Sequence, residues 1–191
     1  GDYNRITKEN WSEGLYIQPK LDGVRCMIQY DKIDVLDYPI PNACVEHSGA
    51  RCQVNAYSRT GKLWKNIDHI LEQLVPFFME YPNVVLDGEL YNHDLKNDFE
   101  KIISLVRKTK PTDEDRLESA EKVQFHCYDF VDIEFNALID FAHRNNFLND
   151  KFSHNATMFP KIKTLNTFKV YNIEEVEVQH DLQKAAGYEG S

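Results

Sequence analysis

The chain has 191 residues, enough to bury a substantial hydrophobic core, and its 42% hydrophobic and 28% charged residues are typical of a folded globular protein. It contains no apolar run of about 18 residues, so the sequence predicts no membrane span. A formal net charge of −9 argues against a surface that binds nucleic acid throughout, because DNA binding depends on cationic contacts with phosphates. Any such contact is expected to be local, and Arg51, Arg59, Lys62 and Lys65 are close enough in sequence to form a small cationic patch.

The first part of the chain is predicted to be mostly extended. Residues 14–30 form two extended segments joined by Asp22 and Gly23, where the glycine permits the backbone geometry of a tight turn. Residues 37–51 contain two prolines, an asparagine and a glycine and predict a loop, whereas residues 52–59 predict a strand.

The middle of the chain predicts helices on either side of a strand at residues 84–91. Asn66 is a candidate cap for the first helix, and Pro76 should kink or end it. The highly charged residues 108–121 predict a solvated helix or a mobile excursion. The apolar residues at helical spacing are Ile67, Ile70, Leu71, Leu74 and Phe78 in the first helix and Phe99, Ile102, Ile103 and Val106 in the second.

The last part of the chain predicts a strand at residues 123–131 and an extended segment at residues 161–171. Between them, a helical stripe is formed by Phe135, Leu138, Ile139 and Ala142. A final helix should start at Asn172, with Glu175 three positions later, and stop at Gly187. The irregular alternation of strands and helices favours an α+β architecture with mostly antiparallel sheets.

The cysteines and histidines do not indicate a metal site. No Cys-x-x-Cys pair occurs, so no zinc knuckle is predicted. The spacing would allow a disulfide between Cys44 and Cys52, but free thiols in a reducing compartment are the simpler interpretation. The seven histidines show no metal-ligand spacing, and we interpret them as structural or exposed.

Five short motifs contain residues that could carry chemistry. In chain order they are KLDGVR (residues 20–25), YSRTGK (57–62), LDGEL (86–90), FHCYD (125–129) and GYEG (187–190). A lysine amine is normally protonated at neutral pH and is then a poor nucleophile. Partial burial and neighbouring cations such as Arg25 or a metal ion would favour the neutral amine of Lys20, which can attack phosphorus and form a phosphoramidate.

The other motifs supply groups that suit a nucleotide or a nucleic acid. Two cations around the turn at residues 57–62 suit the phosphate of a substrate strand. Asp87 and Glu89 share one face of a strand, where they suit a ribose hydroxyl and a hard cation such as Mg²⁺. Tyr128 is predicted to face away from the core, where its ring could stack on a base.

The order of these motifs resembles that of the covalent nucleotidyltransferase superfamily, and the first looks like motif I of ATP-dependent DNA ligases. Ser-Arg-Thr-Gly resembles their second motif, Asp-Gly-Glu motif III, Tyr-Asp motif IIIa and Glu-Gly motif IV, so the resemblance runs from about Gln18 to Gly190. It implies an α+β, ATP-grasp-like ligase adenylation domain with mostly antiparallel sheets flanked by helices. The implied activity is the sealing of nicks in duplex DNA with ATP as the AMP donor.

The resemblance also implies roles for single residues at the nucleotide. Lys20 would attack the α-phosphate of ATP, and Arg25 would hold the ribose or a DNA end. Gln18 stands where many ligases have an acidic residue that accepts a hydrogen bond from the adenine amino group. A glutamine carbonyl can accept the same bond, but its own amide must find another acceptor. Glu89 would bind the ribose or the metal, and Tyr128 would stack on adenine.

The remaining roles concern the catalytic cation and the nick. Glu189 would bind the cation, expected to be Mg²⁺. Arg59 would hold the 5′-phosphate, with Lys62 and Lys65 as further nucleic-acid contacts. Asp22 would assist the attack of the 3′-hydroxyl.

In this family, Glu-Gly is followed by motif V and usually by an OB-fold domain. We therefore expect residues 1–191 to be an adenylation domain that is incomplete at its C-terminus. The expected partners are ATP and nicked duplex DNA, without a membrane. The expected state is a monomer inside the cell, in the cytoplasm or in the host cytoplasm if the protein is viral or phage-encoded.

Several alternatives remain open at the level of sequence. An RNA ligase and an mRNA-capping guanylyltransferase are related enzymes, although Arg25 and Ser-Arg-Thr-Gly favour a DNA ligase. An NAD-dependent ligase is less favoured, because the motif I of that group ends in alanine. A nucleotide-binding scaffold without turnover belongs to a different class, and the joint presence of Lys20, Arg25, Glu89 and Glu189 argues against it.

Overall fold

The computed structural model describes residues 3–33, 37–134 and 139–191. The helices are α1 (Lys8–Glu13), α2 (Asp68–Glu80), α3 (Phe99–Val106), α4 (Asp113–Lys122), α5 (Phe141–Leu148) and α6 (Ile173–Ala185). The strands are β1 (Leu15–Ile17), β2 (Val24–Lys32), β3 (Cys44–His47), β4 (Ala50–Tyr57), β5 (Val84–Tyr91), β6 (Gln124–Asp132), β7 (Ile162–Thr164) and β8 (Phe168–Val170). No helix in these ranges has the length and apolar content needed to cross a bilayer.

The elements divide into two compact units. Unit 1 contains the described residues up to Asp22 together with Leu165–Ser191, and unit 2 contains Gly23–Thr164. In unit 1, β1 and β8 form an antiparallel pair. Along the chain, α1 precedes β1 and α6 follows β8. The last helix starts and stops as predicted. Asn172 Oδ1 accepts a hydrogen bond from the Glu175 backbone N–H, and Gly187 follows the helix with φ at +91°.

Unit 2 is built on a mixed sheet. Its described strands lie in the order β3-β4-β2-β5-β6-β7, with antiparallel pairing except between β6 and β7, which run parallel. One face packs against α2 and α3 in a single apolar core that includes Ile28, Leu74, Leu86, Ile102 and Phe125. This confirms the predicted α+β architecture with mostly antiparallel sheets.

The central strand β5 has the predicted bounds and the predicted alternation. Val84, Leu86 and Leu90 are buried, whereas Asp87 and Glu89 lie half-buried on the opposite face. A strand with this pattern has one apolar face for the core and one polar face for contacts. The polar face of the sheet in unit 2 is therefore where the candidate residues of the third and fourth motifs lie.

The predicted loop at residues 37–51 is wrong for its second half, which forms the hairpin of β3 and β4. Ser48 and Gly49 close the hairpin with φ of +51° and +75°, the two positive values that a two-residue turn of this hand requires. The register pairs Cys44 with Gln53 and Val45 with Cys52. All four cysteines are free thiols, which agrees with the prediction that Cys44 and Cys52 form no disulfide.

The start of α2 differs from the prediction. Its N-cap is Ile67, whereas the Asn66 side chain is buried and donates to the backbone oxygens of Leu105 and Asp115. Pro76 lies inside the helix, which continues to Glu80. Proline removes one backbone hydrogen bond, but apolar residues buried on both sides of Pro76 hold the helix against the sheet.

Two charged or ambiguous segments form helices. Residues 113–122 form α4, which confirms the solvated helix and starts with a reciprocal cap between Thr112 and Asp115. In the predicted stripe, Phe135 and Leu138 lie outside the described residues. Helix α5 begins only after Ile139, with Asp140 as its N-cap.

Candidate functional site

The first and last of the five motifs meet in unit 1. The Lys20 N–H donates to Gly190 O at 2.7 Å, and the Glu189 N–H donates to Lys20 O at 3.2 Å. The side chains also pair, with Lys20 Nζ 2.5 Å from Glu189 Oε1. Backbone and side-chain contacts together place the candidate nucleophile against the candidate cation ligand.

The Gly190 position has a steric requirement. Its φ is +147°, and a Cβ atom there would lie 2.8 Å from the His180 ring. The ring is also 3.2 Å from Ser191 Oγ through Nδ1. His180 on α6 therefore packs against Gly190, and a larger residue at position 190 would require the His180 ring to shift.

Lys20 is more exposed than a nucleophilic amine was expected to be. Its side chain is 61% exposed, and that of Glu189 is 47% exposed. The Lys20 amine therefore lies against a carboxylate at the protein surface and is not enclosed by neighbouring side chains. Asp22 is exposed as well.

Gln18 finds the acceptor that its amide needs. Its Nε2 donates to Thr167 Oγ1 at 3.0 Å, and the Thr167 hydroxyl donates to Leu165 O at 3.2 Å. This relay fixes the orientation of the Gln18 side chain. Thr167 carried no recognisable signal in the sequence.

Gly23 lies so close to β5 that a side chain would not fit there, and it does not form the tight turn that we expected. Its φ lies outside the left-handed region, but a Cβ atom would lie 2.5 Å from Glu89 Cγ and 2.6 Å from Leu90 O. The two extended segments around it do not pair, since β1 pairs with β8 and β2 with β4 and β5. The glycine lets the start of β2 approach β5.

Arg25 and Asp87 form a bidentate ion pair in unit 2. Arg25 Nε and Nη2 lie 3.1 and 2.7 Å from the two carboxylate oxygens of Asp87. This contact, reinforced by the charges of Tyr128 and Glu89, raises the pKa of Arg25. Asp87 is thus the residue that orients Arg25. The strand pattern predicts the face on which Asp87 lies, but no local signal predicts its contact with Arg25.

The strand register places Glu89 and His126 in the same row of the sheet as Arg25. Arg25 lies directly opposite Glu89, and Glu89 lies directly opposite His126. Such cross-strand neighbours have Cβ atoms about 5 Å apart. Burial lowers the pKa of His126 to about 4, and the charges of Lys163 and His93 act in the same direction, so His126 is neutral at physiological pH.

Tyr128 occupies a bulge in β6. In the pairing of β5 with β6, Asp87 lies opposite Asp129 and the next residue, Gly88, lies opposite Cys127. Tyr128 is therefore the extra residue of the bulge. A bulge re-aims the side chain it carries, and here Tyr128 interacts with Asp87, Glu89 and Arg25. Burial, followed by the charges of the two carboxylates, raises the pKa of Tyr128 and keeps its hydroxyl neutral.

The neighbouring Asp129 has a structural partner. Its carboxylate binds the Arg144 guanidinium of α5 in a bidentate pair, with Nε at 2.7 Å and Nη2 at 3.1 Å. Arg144 also donates to Ile139 O at 2.7 Å. Asp129 therefore anchors α5 to β6.

The cations of the second motif lie on a tight turn after β4. Ser58 N–H donates to Lys62 O at 2.7 Å, and the Ser58 hydroxyl accepts from Lys62 N–H at 3.0 Å. Arg59 and Lys62 are exposed on this turn, whereas Lys65 lies 5.7 Å from the centre of the Tyr38 ring.

Arg51 does not belong to the same patch. It lies at the start of β4, about 20 Å from the strand's end at the usual rise per residue. Its Nε donates to Cys44 Sγ at 3.3 Å.

A ready-made metal cage is not visible in the described ranges, which contain no group of three or more His, Cys, Asp or Glu side chains arranged to hold a metal ion. Magnesium commonly binds through one or two carboxylates together with substrate phosphates. Glu89 and Glu189 are carboxylates of the type that such a site uses.

No protein-family model matches this sequence, and the comparison with curated proteins found no significant match. Solved structures do match. The structure named Pmar-Lig_PreS3 has 20% identity over 95% of this chain and 39% of its own, with a TM-score of 0.61. The ATP-dependent DNA ligase of bacteriophage T7 in complex with ATP has 17% identity over 95% and 57%, with a TM-score of 0.61.

An archaeal ATP-dependent RNA ligase is also similar, with 16% identity over 95% of this chain and 40% of that chain and a TM-score of 0.54. The chain thus spans 39% to 57% of the length of these three structures. At such identities the likeness concerns the fold. The fold of this chain is therefore that of the nucleotidyltransferase, or adenylation, domain of ATP-dependent ligases.

Proposed function

We propose that the chain is the nucleotidyltransferase part of an ATP-dependent DNA ligase, which seals nicks in duplex DNA through a covalent AMP on Lys20. The observation that carries this proposal is the pairing of Lys20 with Glu189 and Gly190. The first and last motifs of the chain, which resemble motifs I and IV of the ligases, are in contact there. The shared fold supports the same conclusion.

The proposed reaction has three transfers at phosphorus. The neutral Lys20 amine attacks the α-phosphorus of ATP, a P–N bond forms, and pyrophosphate leaves. An oxygen of the 5′-phosphate at the nick then attacks the AMP phosphorus and displaces Lys20. The 3′-hydroxyl finally attacks the activated 5′-phosphate, a phosphodiester forms, and AMP leaves. Each step depends chiefly on positioning and on charge neutralisation.

Residues of unit 1 would prepare the nucleophile and read the base. Lys20 must leave its ion pair with Glu189 and lose a proton before it attacks. An exposed ion pair is worth about 0–1 kcal/mol, so the contact with Glu189 is by itself a small obstacle to the attack. Gln18, oriented by Thr167, would accept a hydrogen bond from the adenine amino group. Asp22 would assist the attack of the 3′-hydroxyl.

Residues of unit 2 would hold the ribose and the base. Glu89 would bind a ribose hydroxyl, and Tyr128 would stack on adenine. Arg25 uses two of its five N–H groups on Asp87, so further donors remain for the ribose or a DNA end.

Glu89 in unit 2 and Glu189 in unit 1 are each candidate carboxylate ligands for Mg²⁺, which would neutralise phosphate charge during the transfers. Arg59 would hold the 5′-phosphate of the nick, with Lys62 and Lys65 as further contacts to the nucleic acid. Arg59 and Lys62 are exposed on a rigid turn, which suits a contact to a phosphate.

An RNA ligase is the second candidate, because an archaeal RNA ligase has the same fold. A comparison of nicks whose joined strands are DNA or RNA separates the two candidates. A comparison of ATP, GTP and NAD as donors separates both from a guanylyltransferase and from an NAD-dependent ligase.

Incubation with α-labelled ATP and Mg²⁺ tests the central step. The wild-type protein should acquire label that survives denaturation, and Lys20→Ala should acquire none while it keeps the wild-type melting temperature. The fold should persist because the lost side chain is mostly exposed and the backbone bonds to Gly190 and Glu189 remain. Lys184→Ala, an exposed lysine of the same unit, should label normally. Label on the Lys20→Ala protein would refute the assignment, and a full-length wild-type protein that stays unlabelled would favour a scaffold without turnover.

A further inference from the structure

A cavity in unit 2, not used by the proposed reaction, lies beside the turn that carries Arg59 and Lys62. Its volume is about 470 Å³, within the range of roughly 300–1,000 Å³ that is common for small-molecule sites. The lining residues include Asp31, Lys32, Tyr38, Asn55, Tyr57 and Leu63. Gly61 of the turn lines it as well, so a phosphate on the turn and a group in the cavity would be close neighbours.

The floor of the cavity is a fixed polar network. The Asp31 carboxylate accepts hydrogen bonds from Gln29 Nε2 at 2.6 Å, from Asn55 Nδ2 at 2.8 Å and from the Tyr57 hydroxyl. Asn55 Oδ1 accepts in turn from Gln53 Nε2 at 2.8 Å. Asn55 is only 6% exposed. The carboxylate and amide groups are therefore held in set orientations before any ligand arrives, which lowers the cost of binding.

The surroundings combine aromatic rings with positive charge. Tyr38 and Tyr57 line the cavity together with the apolar Leu63. Lys32 lies at its edge, Arg59 and Lys62 lie on the adjoining turn, and Lys65 lies over the Tyr38 ring. Within the described part of the chain, none of these four cations forms an ion pair. The carboxylates of Asp31 and Asp37 also line the cavity, so the site suits an uncharged aromatic group that is linked to a phosphate outside it.

We propose that this cavity binds an unpaired nucleoside next to the phosphate held by Arg59 and Lys62. The inference rests on the proposed function, because it takes the substrate to be a 5′-phosphorylated strand. The base would lie against the tyrosine rings and offer its polar edge to Asp31 and Asn55. Base–aromatic stacking accepts every base, so the cavity would capture a frayed 5′ end whatever its sequence.

The test compares two nicked DNA duplexes by fluorescence anisotropy. Both carry a 5′-phosphate at the nick, but the 5′-terminal nucleotide is an unpaired mismatched base in one and an abasic residue in the other. The wild type should bind the first at least about fivefold more tightly, as expected for one stacked base. Leu63→Trp, which fills the cavity, should remove the preference and keep the weaker affinity for the abasic duplex. Leu117→Trp makes the same substitution at a position that is 74% exposed on α4, and it should keep the preference.

Asp37→Trp provides a second way to block the cavity, because Asp37 is an exposed residue at its rim. If Leu63→Trp lowers the melting temperature, the test relies on Asp37→Trp. Equal wild-type affinity for the two duplexes, no binding of either, or a preference that survives in a folded blocking variant would overturn the proposal. Labelling of Lys20 by α-labelled ATP involves no DNA and should be normal in every variant. A failure of labelling would therefore count against the proposed function, whereas a failure of base preference counts against the cavity.

Discussion

Two of the candidate cations form ion pairs with carboxylates. Lys20 pairs with Glu189, and Arg25 pairs with Asp87. Because Lys20, Glu189 and Arg25 are all substantially exposed, these pairs contribute little to stability. Each pair instead orients its cation, and under the proposed function a phosphate would replace the carboxylate at low cost.

Tyr128 is expected to supply the ring for the base of ATP. Tyr128→Ala should weaken ATP binding by about 1–3 kcal/mol, the usual contribution of one stacked base. Tyr128→Phe keeps the ring and should bind ATP almost as well as the wild type. Isothermal titration calorimetry measures both, and an unchanged affinity in the alanine variant would move the stacking role to another ring.

Two half-buried histidines, His69 and His126, should make the protein sensitive to acid. Burial lowers the pKa of His69 to about 4 from an ordinary 6.5. Above pH 6.5 the ring is neutral in both states. Between pH 6.5 and 4 the unfolded chain binds a proton that the folded chain does not, so the free energy of unfolding falls. His126 follows the same course.

His69→Gln should therefore recover about 2 kcal/mol of the stability lost between pH 7.5 and pH 5, since glutamine does not titrate and can still donate to Val123 O. Urea unfolding at the two pH values measures the difference. The exposed His154→Gln variant leaves His69 and His126 in place and should show the full loss. An identical loss in all three proteins would contradict the assignment.

At the scale of elements, the central strand β5 organises the polar face of unit 2. Its simultaneous pairing with β2 and β6 sets Arg25, Glu89 and His126 in one row across the sheet. The bulge at Tyr128 then adds an aromatic ring beside that row. Gly88 makes the bulge sterically feasible, because a Cβ there would lie 2.4 Å from His126 O and 2.6 Å from the Phe125 ring.

Gly88→Ala should lower the free energy of unfolding by about 3 kcal/mol, because backbone and a buried ring cannot both move aside. Gly49→Ala is the matched control. It has φ at +75° but no atom within 4 Å of a new Cβ, so it should cost only about 1 kcal/mol of backbone strain. Chemical denaturation measures both, and equal effects would mean that the bulge relaxes around the added methyl group.

At the scale of the whole molecule, the protein has a negative net charge but contains a local cluster of cationic side chains. The net charge is −9, yet Lys32, Arg59, Lys62 and Lys65 lie around one cavity and one turn of unit 2. Long-range attraction to DNA is weak for such a protein. Affinity should then come from a few specific phosphate contacts.

Arg59→Ala should reduce the slope of log affinity against log salt by about 0.9, the value for one lost phosphate contact. Lys110→Ala removes an exposed charge elsewhere in unit 2 and should leave the slope unchanged. Titrations of nicked duplex at several salt concentrations provide the comparison. An unchanged slope in Arg59→Ala would remove Arg59 from the nucleic-acid contacts.

Local patterns predicted the elements well where one face of an element is apolar. Residues 84–91 and the helix after Asn172 have the expected bounds, since alternation and capping act within a few residues. The strand predicted at residues 52–59 is confirmed as β4 (Ala50–Tyr57). Its hairpin partner β3 was missed, because the turn between them depends on the unusual backbone geometry at Ser48 and Gly49. The cap at Asn66 was misassigned because that amide bonds to distant backbone oxygens.

By itself, the sequence determined the order of the motifs, the resemblance they form and the strand face shared by Asp87 and Glu89, since each depends on spacing along the chain. Tertiary structure alone decided that Asp87 holds Arg25, that Thr167 orients Gln18 and that Lys20 pairs with Glu189. These contacts join residues far apart in sequence, and no periodicity or local propensity encodes them. They exist because folding fixes strand register and brings distant side chains within hydrogen-bond distance.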